Sequence, residues 1–507
     1  MGVSVSVLTD ALREAGVLIS VASGVPATVY DLVDDSRRVG AGAAFIAVKG
    51  AAQDGHAWLA KAREAGATLG IVEDATAAEQ AGLPYVHVRD GRRAAALAAA
   101  AFHGFPARDL TLIGVTGTNG KTTTVGLLRH VLDSPEHPAA SIGTLGVLLG
   151  SAGAPMPGGS GLTTPGPVEL QRLLRELVNR GVRRVAMETS SHALDQRRVD
   201  GLGFAAAVFT NLTRDHLDYH GTMEAYRSAK LRLVGLLARD GVAVFNTDDA
   251  AWRGVTNAPR SLTFGVHDAT AEVSAREVEY LSTGCRFLLV TPAGAQSVLL
   301  PLIGDFNIAN ALGAAAVAVA MGMPTSIIAE RLSSAPQVPG RLERLRTGPT
   351  VLRDYAHTPD ALERALRAIR PFTRENAERS SRLIVLFGCG GDRDRGKRPE
   401  MGRIAESLAD VVIVTSDNPR TEDPERILDD IEAGMEGTSN VRLVDRREAI
   451  AYALRLAGPH DVVVLAGKGH ETYQIRGTTT FPFDESEIVA ELSREMFGST
   501  TANGDVV

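Results

Sequence analysis

The sequence predicts an α/β protein built as three domains, and three observations lead there. At roughly 150 residues per domain, 507 residues suggest about three units. Short apolar runs rich in alanine, valine and leucine alternate with helical stretches. Two breaks interrupt that alternation, Gly104-Phe105-Pro106 and Pro339-Gly340.

The expected first domain, residues 1–106, has strand-like runs at 43–48, 69–72 and 84–88, a helix at 56–65 and an alanine-rich helix at 94–102. The second, residues 107–338, opens on an apolar strand at 110–115, continues into a helical segment at 125–132 and closes on an alanine helix at 309–322. The third, residues 339–497, shows strands at 352–355, 383–387, 411–415 and 461–465 separated by helices, the pattern of a parallel sheet. Residues 498–507 read as a disordered tail.

Composition excludes several classes. Lysine plus arginine total 53 against 60 acidic residues, a net charge of −7. That balance offers no basic footprint for nucleic acid but permits a local cationic pocket for a small anion. The two cysteines, Cys285 and Cys389, lack metal-ligand spacing, which fits a reducing, cytoplasmic compartment. The longest apolar stretch, residues 311–323, is shorter than the roughly 20 residues a bilayer span needs, so it reads as a buried helix. No membrane insertion is expected, and the N-terminus lacks a secretory pattern.

Chemistry becomes legible at residues 114–124, Gly-Val-Thr-Gly-Thr-Asn-Gly-Lys-Thr-Thr-Thr, between a strand and a helix. Glycine lets backbone wrap phosphate, the helix N-terminus favours anions, Lys121 supplies a point charge and Thr122 a hydroxyl for magnesium. The strict pattern places glycine where Val115 stands, so this is a variant phosphate loop. Alone it leaves kinases, motors, switches and ligases open. Two further strand ends carry polar clusters: Glu188-Thr189-Ser190-Ser191-His192, and residues 211–221 with Asp215, His216, Asp218 and His220. Ligands of open α/β sheets bind at such ends.

In order along the chain, the segment Thr116-Gly117-Thr118-Asn119-Gly120-Lys121-Thr122-Thr123, Glu188 to His192, Asn211 to Asp218 and Tyr226-Arg227-Ser228-Ala229-Lys230 resemble motifs of the Mur ligases. So do Gly304-Asp305-Phe306-Asn307, Gly340-Arg341-Leu342-Glu343 and Asp354-Tyr355-Ala356-His357-Thr358-Pro359. This family forms amide bonds with ATP during peptidoglycan synthesis. The resemblance implies an N-terminal UDP-binding domain, a central phosphate-loop ATPase domain and a C-terminal Rossmann-like domain that delivers an amino acid. It also implies that Lys121 meets the β- and γ-phosphates, that Thr122 and Glu188 sit at magnesium, and that His216 binds a second magnesium. Asn307, Arg341 and Asp354 would hold adenine, phosphate and ribose. Lys230 matches a lysine that is carbamylated in the family, becoming an anion able to coordinate Mg2+.

Asp417-Asn418-Pro419-Arg420 resembles the motif of the branch that adds meso-diaminopimelate. That amino acid carries a distal carboxylate, which a guanidinium binds bidentately. By the same resemblance Arg393, Gly467 and Glu471 complete its pocket. Ser36 with its neighbours and the 50–54 turn match the uridine segment, while Thr163, Thr164, Ser190, Gln196 and Arg198 match residues holding the muramoyl dipeptide. Leu162 departs from the asparagine usual at its position. The implied reaction joins meso-diaminopimelate to UDP-N-acetylmuramoyl-L-alanyl-D-glutamate through an acyl phosphate, with His357 as a base for the amine and a monomer as the working unit. Competing readings are a lysine-adding ligase, a folylpolyglutamate synthetase and a nucleotide switch without synthetic activity.

Overall fold

The apolar run at 110–115 forms the strand Thr111–Thr116, buried from Leu112 onward, in the middle of the largest sheet of a computed structural model. The structure describes residues 2–50, 53–158, 161–374, 381–437 and 440–497. Residues 51 and 52 of the 50–54 turn and the 498–507 tail lie outside the described residues.

On one side of Thr111–Thr116 lie, in order, Arg184–Glu188, Ala139–Gly143, Gly146–Leu149 and Ala154–Met156. On the other lie Phe204–Phe209, Leu237–Asn246 and Arg260–Gly265, and the order continues through Val273–Leu281, Gly284–Thr291 and Gly294–Leu300. Thr111–Thr116 is parallel to both neighbours. Parallel strands need cover on both faces. One cover is the helix Pro167–Asn179, whose Leu170, Leu173, Leu174 and Leu177 recur at helical spacing and pack with Val185 and Met187.

The N-terminal sheet runs Leu18–Val21, Tyr85–Val88, Ala67–Val72, Ala43–Ile46, Asp31–Val33, parallel except at the first edge. The helix expected at 94–102 spans Gly91–Phe102, starting earlier because the Asp90 carboxylate accepts from the Arg93 amide at 2.9 Å. The helix expected at 56–65 is divided into a 3-10 turn, Gly55–Trp58, and Leu59–Glu64. Asp54 accepts from the His56 amide at 3.0 Å and meets its Nδ1 at 2.6 Å, tightening the first turn. Arg175 on Pro167–Asn179 donates to the carbonyls of His103 and Gly104, both at 2.8 Å, and Arg197 pairs with Asp90 at 3.1 Å. Across such contacts residues 1–275, with 289–296 and 309–331, form one compact unit.

The second unit takes residues 276–288, 297–308 and 332 onward. Its six-stranded sheet runs Glu343–Arg346, Thr350–Asp354, Val462–Ala466, Leu383–Phe387, Val411–Val414, Val441–Arg442. All pairs are parallel except the first. Alternation splits its core: Leu383, Val385 and Phe387 face the cluster holding Leu362, Leu366, Met401 and Leu428, whereas Ile384 and Leu386 face the one holding Ile450, Leu454 and Val489. The apolar run at 311–323 begins in the helix Asp305–Ala320, buried from Ala314 to Ala318, and runs three residues past its end. Among the described residues no helix is long and apolar enough to cross a membrane. Cys285 and Cys389 are buried and unpaired.

Candidate functional site

The phosphate loop turns from Thr111–Thr116 directly into the helix Lys121–Leu132, which begins ahead of the expected 125–132. Gly117 (φ +150°) and Gly120 (φ +84°) occupy backbone that side chains resist; a Cβ would strike Thr210 Oγ1 at the first and Asn310 Oδ1 at the second. The loop is sewn to the end of the neighbouring strand. Thr118 N donates to Asn211 O at 2.8 Å, Asn119 N to Asn211 Oδ1 at 2.9 Å, and Thr210 Oγ1 to Asn119 O at 2.6 Å. Lys121 Nζ donates to the carbonyls of Gly117 (3.0 Å) and Thr118 (2.7 Å), which keeps its charge at the loop. Thr122 and Thr123 are buried in the first helical turn, where amide N–H groups and the helix dipole favour an anion.

Lys230 joins the same loop from the helix Met223–Leu231. Its Nζ donates to Gly117 O at 2.7 Å and lies 4.3 Å from the Tyr226 ring, one helical turn earlier. Burial, reinforced by Lys121, drives this amine well below the ordinary lysine range. Tyr226 in turn places its hydroxyl 3.3 Å from Thr118 Oγ1.

Glu188 ends its strand fully buried, its carboxylate accepting from Thr144 N at 2.8 Å and Thr144 Oγ1 at 3.3 Å. Around it converge the residues expected to hold a dipeptide. Thr144 Oγ1 reaches Thr163 Oγ1 at 3.2 Å, Thr164 Oγ1 donates to Glu188 O at 2.7 Å, and Ser190 N donates to Thr164 Oγ1 at 3.0 Å. Arg198 Nη1 donates to Thr164 O at 3.0 Å while Gln196 Oε1 accepts from the same guanidinium at 2.7 Å. Leu162 is 46% exposed. His216, at φ +52°, sets its ring 4.8 Å from His192, and His192 packs 4.3 Å from Tyr219. Burial, then the His216 charge, pushes His192 down to about 4, so it is neutral at neutral pH. Among the described residues no three His, Cys, Asp or Glu side chains form a cation cage by themselves. Ser36 opens a 3-10 turn whose cap Asp35 accepts from Arg37 N at 3.0 Å.

In the second unit the candidates lie at the C-terminal ends of its parallel strands. Asp354 is buried with its carboxylate on the amides of Leu342 (2.7 Å) and Ala356 (2.8 Å); burial raises its pKa against the pull of Arg341. The Arg341 guanidinium lies 4.7 Å from the Tyr355 ring, and Asn307 donates to Ile303 O at 2.8 Å. His357 is exposed, its Nδ1 2.8 Å from Tyr355 O. Arg420 (φ +51°) donates to Gly391 O at 2.8 Å, and a Cβ placed on Gly390 would lie 3.0 Å from Arg420 Nη1 and 3.7 Å from Arg393 Cγ, so the two guanidinium side chains flank one glycine. Gly467 (φ +114°) lets Asp417 approach, since its Cβ would stand 2.5 Å from Asp417 Oδ2. Asn418 Nδ2 donates to Glu471 Oε2 at 2.9 Å; Pro419 O accepts from the Glu422 amide at 3.1 Å.

Sequence reasoning gave no individual role to Thr144, Thr210, Asn211, Tyr226 or Lys468, although Asn211 and Tyr226 lie inside its motifs. Thr210 and Asn211 follow a strand, a detectable signal; Lys468 lies inside the 467–471 segment, and nothing local shows that its ammonium is wholly buried.

Three family models match successive segments: Mur ligase family, catalytic domain, over residues 28–103; Mur ligase middle domain over 115–318; and Mur ligase, glutamate ligase domain, over 340–469. This chain belongs to the Mur ligase family. As a Mur ligase it is an enzyme that forms an amide bond with ATP. A UDP-N-acetylmuramoyl-L-alanyl-D-glutamate--2,6-diaminopimelate ligase of Geobacillus thermodenitrificans (strain NG80-2) is 44% identical over 475 residues, covering 91% of this chain and 94% of that protein. A solved structure of a ligase bearing the same name matches with a TM-score of 0.67 at 33% identity, over 97% of this chain and 99% of that one. A folylpolyglutamate synthase of Mycobacterium tuberculosis shares the fold at 18% identity, with a TM-score of 0.59 over 80% of this chain and 95% of its own.

Proposed function

We propose that this Mur ligase joins meso-diaminopimelate to the γ-carboxylate of D-glutamate in UDP-N-acetylmuramoyl-L-alanyl-D-glutamate, as a cytoplasmic monomer. The observation that carries the specificity is the pair Arg393 and Arg420 flanking Gly390 beside Asn418 and Glu471. Guanidinium groups suit the distal carboxylate of diaminopimelate, and the carboxylate of Glu471 suits an ammonium. Lysine lacks that carboxylate.

In this reading the substrate γ-carboxylate attacks the γ-phosphate of ATP, giving an acyl phosphate and ADP. The diaminopimelate amine then attacks the activated carbonyl, and the tetrahedral adduct expels phosphate. Two anions meet in the first step, so charge neutralisation and alignment dominate. Lys121 and the loop amides hold the phosphates, Arg198 and the Thr163–Thr164 and Ser190 groups orient the dipeptide, and Ser36 belongs to uridine recognition. Asn307, Arg341 and Asp354 are assigned to adenine, phosphate and ribose. His357 accepts the proton of the amine. Glu188 and the Thr122 hydroxyl are oxygen donors of the kind Mg2+ takes, with His216 and a modified Lys230 as further ligands. Bound there, Mg2+ would supply positive charge to the phosphoryl oxygens. Lys230 fits carbamylation because its amine is buried and driven toward the neutral form, which adds to CO2 with loss of a proton. A high-resolution map with CO2 present that showed a plain amine at Lys230 would remove that assignment. The domain bounds 1–106, 107–338 and 339–497 accompany this division of labour.

The test is phosphate release with each substrate omitted in turn. Release that requires ATP, the UDP-muramoyl dipeptide and diaminopimelate together supports the reading. Equal turnover with lysine refutes the specificity, and release indifferent to any amino acid refutes the ligase assignment.

A further inference from the structure

Lys468 is among the largest side chains with no exposed surface, and no role in the reaction above uses it. Its ammonium donates to Asn418 Oδ1 at 3.2 Å and Glu471 Oε2 at 3.3 Å, and lies 3.8 Å from Asp417 Oδ1 as an ion pair. Its Nζ lies 5.8 and 5.9 Å from the ring centres of Tyr473 and Phe483. A buried ammonium persists only when its lost hydration is replaced, and here the replacement comes from two separate loops. Asp417 and Asn418 follow the strand Val411–Val414; Glu471 follows Val462–Ala466. Leu383–Phe387 lies between those strands, so ladder pairing does not join the loops directly.

We infer that Lys468 is a positioning residue for the incoming amino acid, tying Asn418 to Glu471 so that one carboxylate oxygen of Glu471 is committed and the other faces the substrate ammonium. The inference rests on the proposed reaction and deepens it. Two details support this role over simple packing. Glu471 Oε2 takes both the Lys468 ammonium and Asn418 Nδ2, so the carboxylate is held through one oxygen and its rotation is fixed. The Lys468 ammonium also sits between the Asp417 and Glu471 side chains, 3.8 and 3.3 Å from their oxygens, and so bridges the two loops by charge as well as by hydrogen bonds. The conformation of Glu471 is thereby set before substrate arrives, which lowers the ordering cost of binding.

The experiment uses the full-length enzyme, with KM measured for each of the three substrates in wild type, Lys468→Met, Lys468→Gln and the same changes made in a Glu471→Gln background. Methionine keeps the stem, and glutamine keeps hydrogen-bonding capacity without charge. Loss of a hydrogen-bonded charge predicts that KM for diaminopimelate rises about ten- to hundredfold while KM for ATP and for the UDP-muramoyl dipeptide stays within about twofold. In the Glu471→Gln background the same change should add less than about threefold, because the two residues act as one unit. The inference is overturned if all three KM values rise together, if only kcat falls, or if the effects of Lys468 and Glu471 multiply independently. Should Lys468→Met not fold, Lys468→Gln decides by the same criteria, and a wild-type diaminopimelate KM in Lys468→Gln overturns it. Wild type that ignores diaminopimelate refutes the proposed reaction itself and is separated by that control.

Discussion

Gly117→Ala puts the phosphate loop to the sharpest test. At φ +150° a side chain costs about 1–2 kcal/mol in backbone strain. The new methyl also occupies the place of Thr210 Oγ1, so that hydroxyl must leave the Asn119 carbonyl it now meets at 2.6 Å, a loss of about 1 kcal/mol. The sum, about 2–3 kcal/mol, predicts a fall of about 3–5 °C in the melting temperature of a unit of about 300 residues, at about 2.1 cal/mol/K of unfolding entropy per residue. Activity should suffer more than stability. The carbonyl of Gly117 anchors both Lys121, at 3.0 Å, and Lys230, at 2.7 Å, and a displacement of about 1 Å in such a group costs about a hundredfold in turnover. The comparison is Gly146→Ala, also at positive φ (+80°) but with open space where its Cβ would go, which should cost only about 1 kcal/mol of strain. Calorimetry and phosphate release decide. If Gly117→Ala melts within about 1 °C of Gly146→Ala and keeps more than about a third of wild-type kcat/KM, the tight fit of this loop is refuted.

Other changes probe the second unit. Arg446 and Glu485 are both fully buried and paired at 2.8 Å, so Arg446→Met alone should lower stability by about 3–5 kcal/mol in urea titration, whereas adding Glu485→Leu should restore most of it. Hydrogen bonding to Arg398 holds Glu422 down at about 2 from an ordinary 4.5. Its contribution is therefore present above about pH 4.5 and is lost as pH falls toward 2, and Glu422→Gln should flatten the urea midpoint across that window. Arg420→Ala should raise KM for diaminopimelate about tenfold or more with KM for ATP within twofold, measured by phosphate release.

Much of the fold is legible locally, because its signals are local. The strand at 383–387 is a continuous apolar run, the phosphate loop is a contiguous string of glycine, lysine and threonine, and Asp90 announces the helix it caps. Boundaries slip where a side chain intervenes, as where Asp54 and His56 turn the start of an expected helix into a 3-10 turn. The grouping of Thr144, Thr163, Thr164, Ser190 and Arg198 about Glu188 needs four segments brought to one strand end, which pattern alone does not place.

The sequence by itself determined the α/β class, the phosphate loop and the motif order that marks a Mur ligase, since each is written in neighbouring residues. Only the tertiary structure decided how lysines of similar local appearance differ. Lys121 sits at the loop mouth, Lys230 is driven toward neutrality beneath it, and Lys468 is encircled by Asp417, Asn418 and Glu471. The physical reason is that the state of an ionisable group depends on hydration and on charges brought near through space, and both are set by residues remote in the chain.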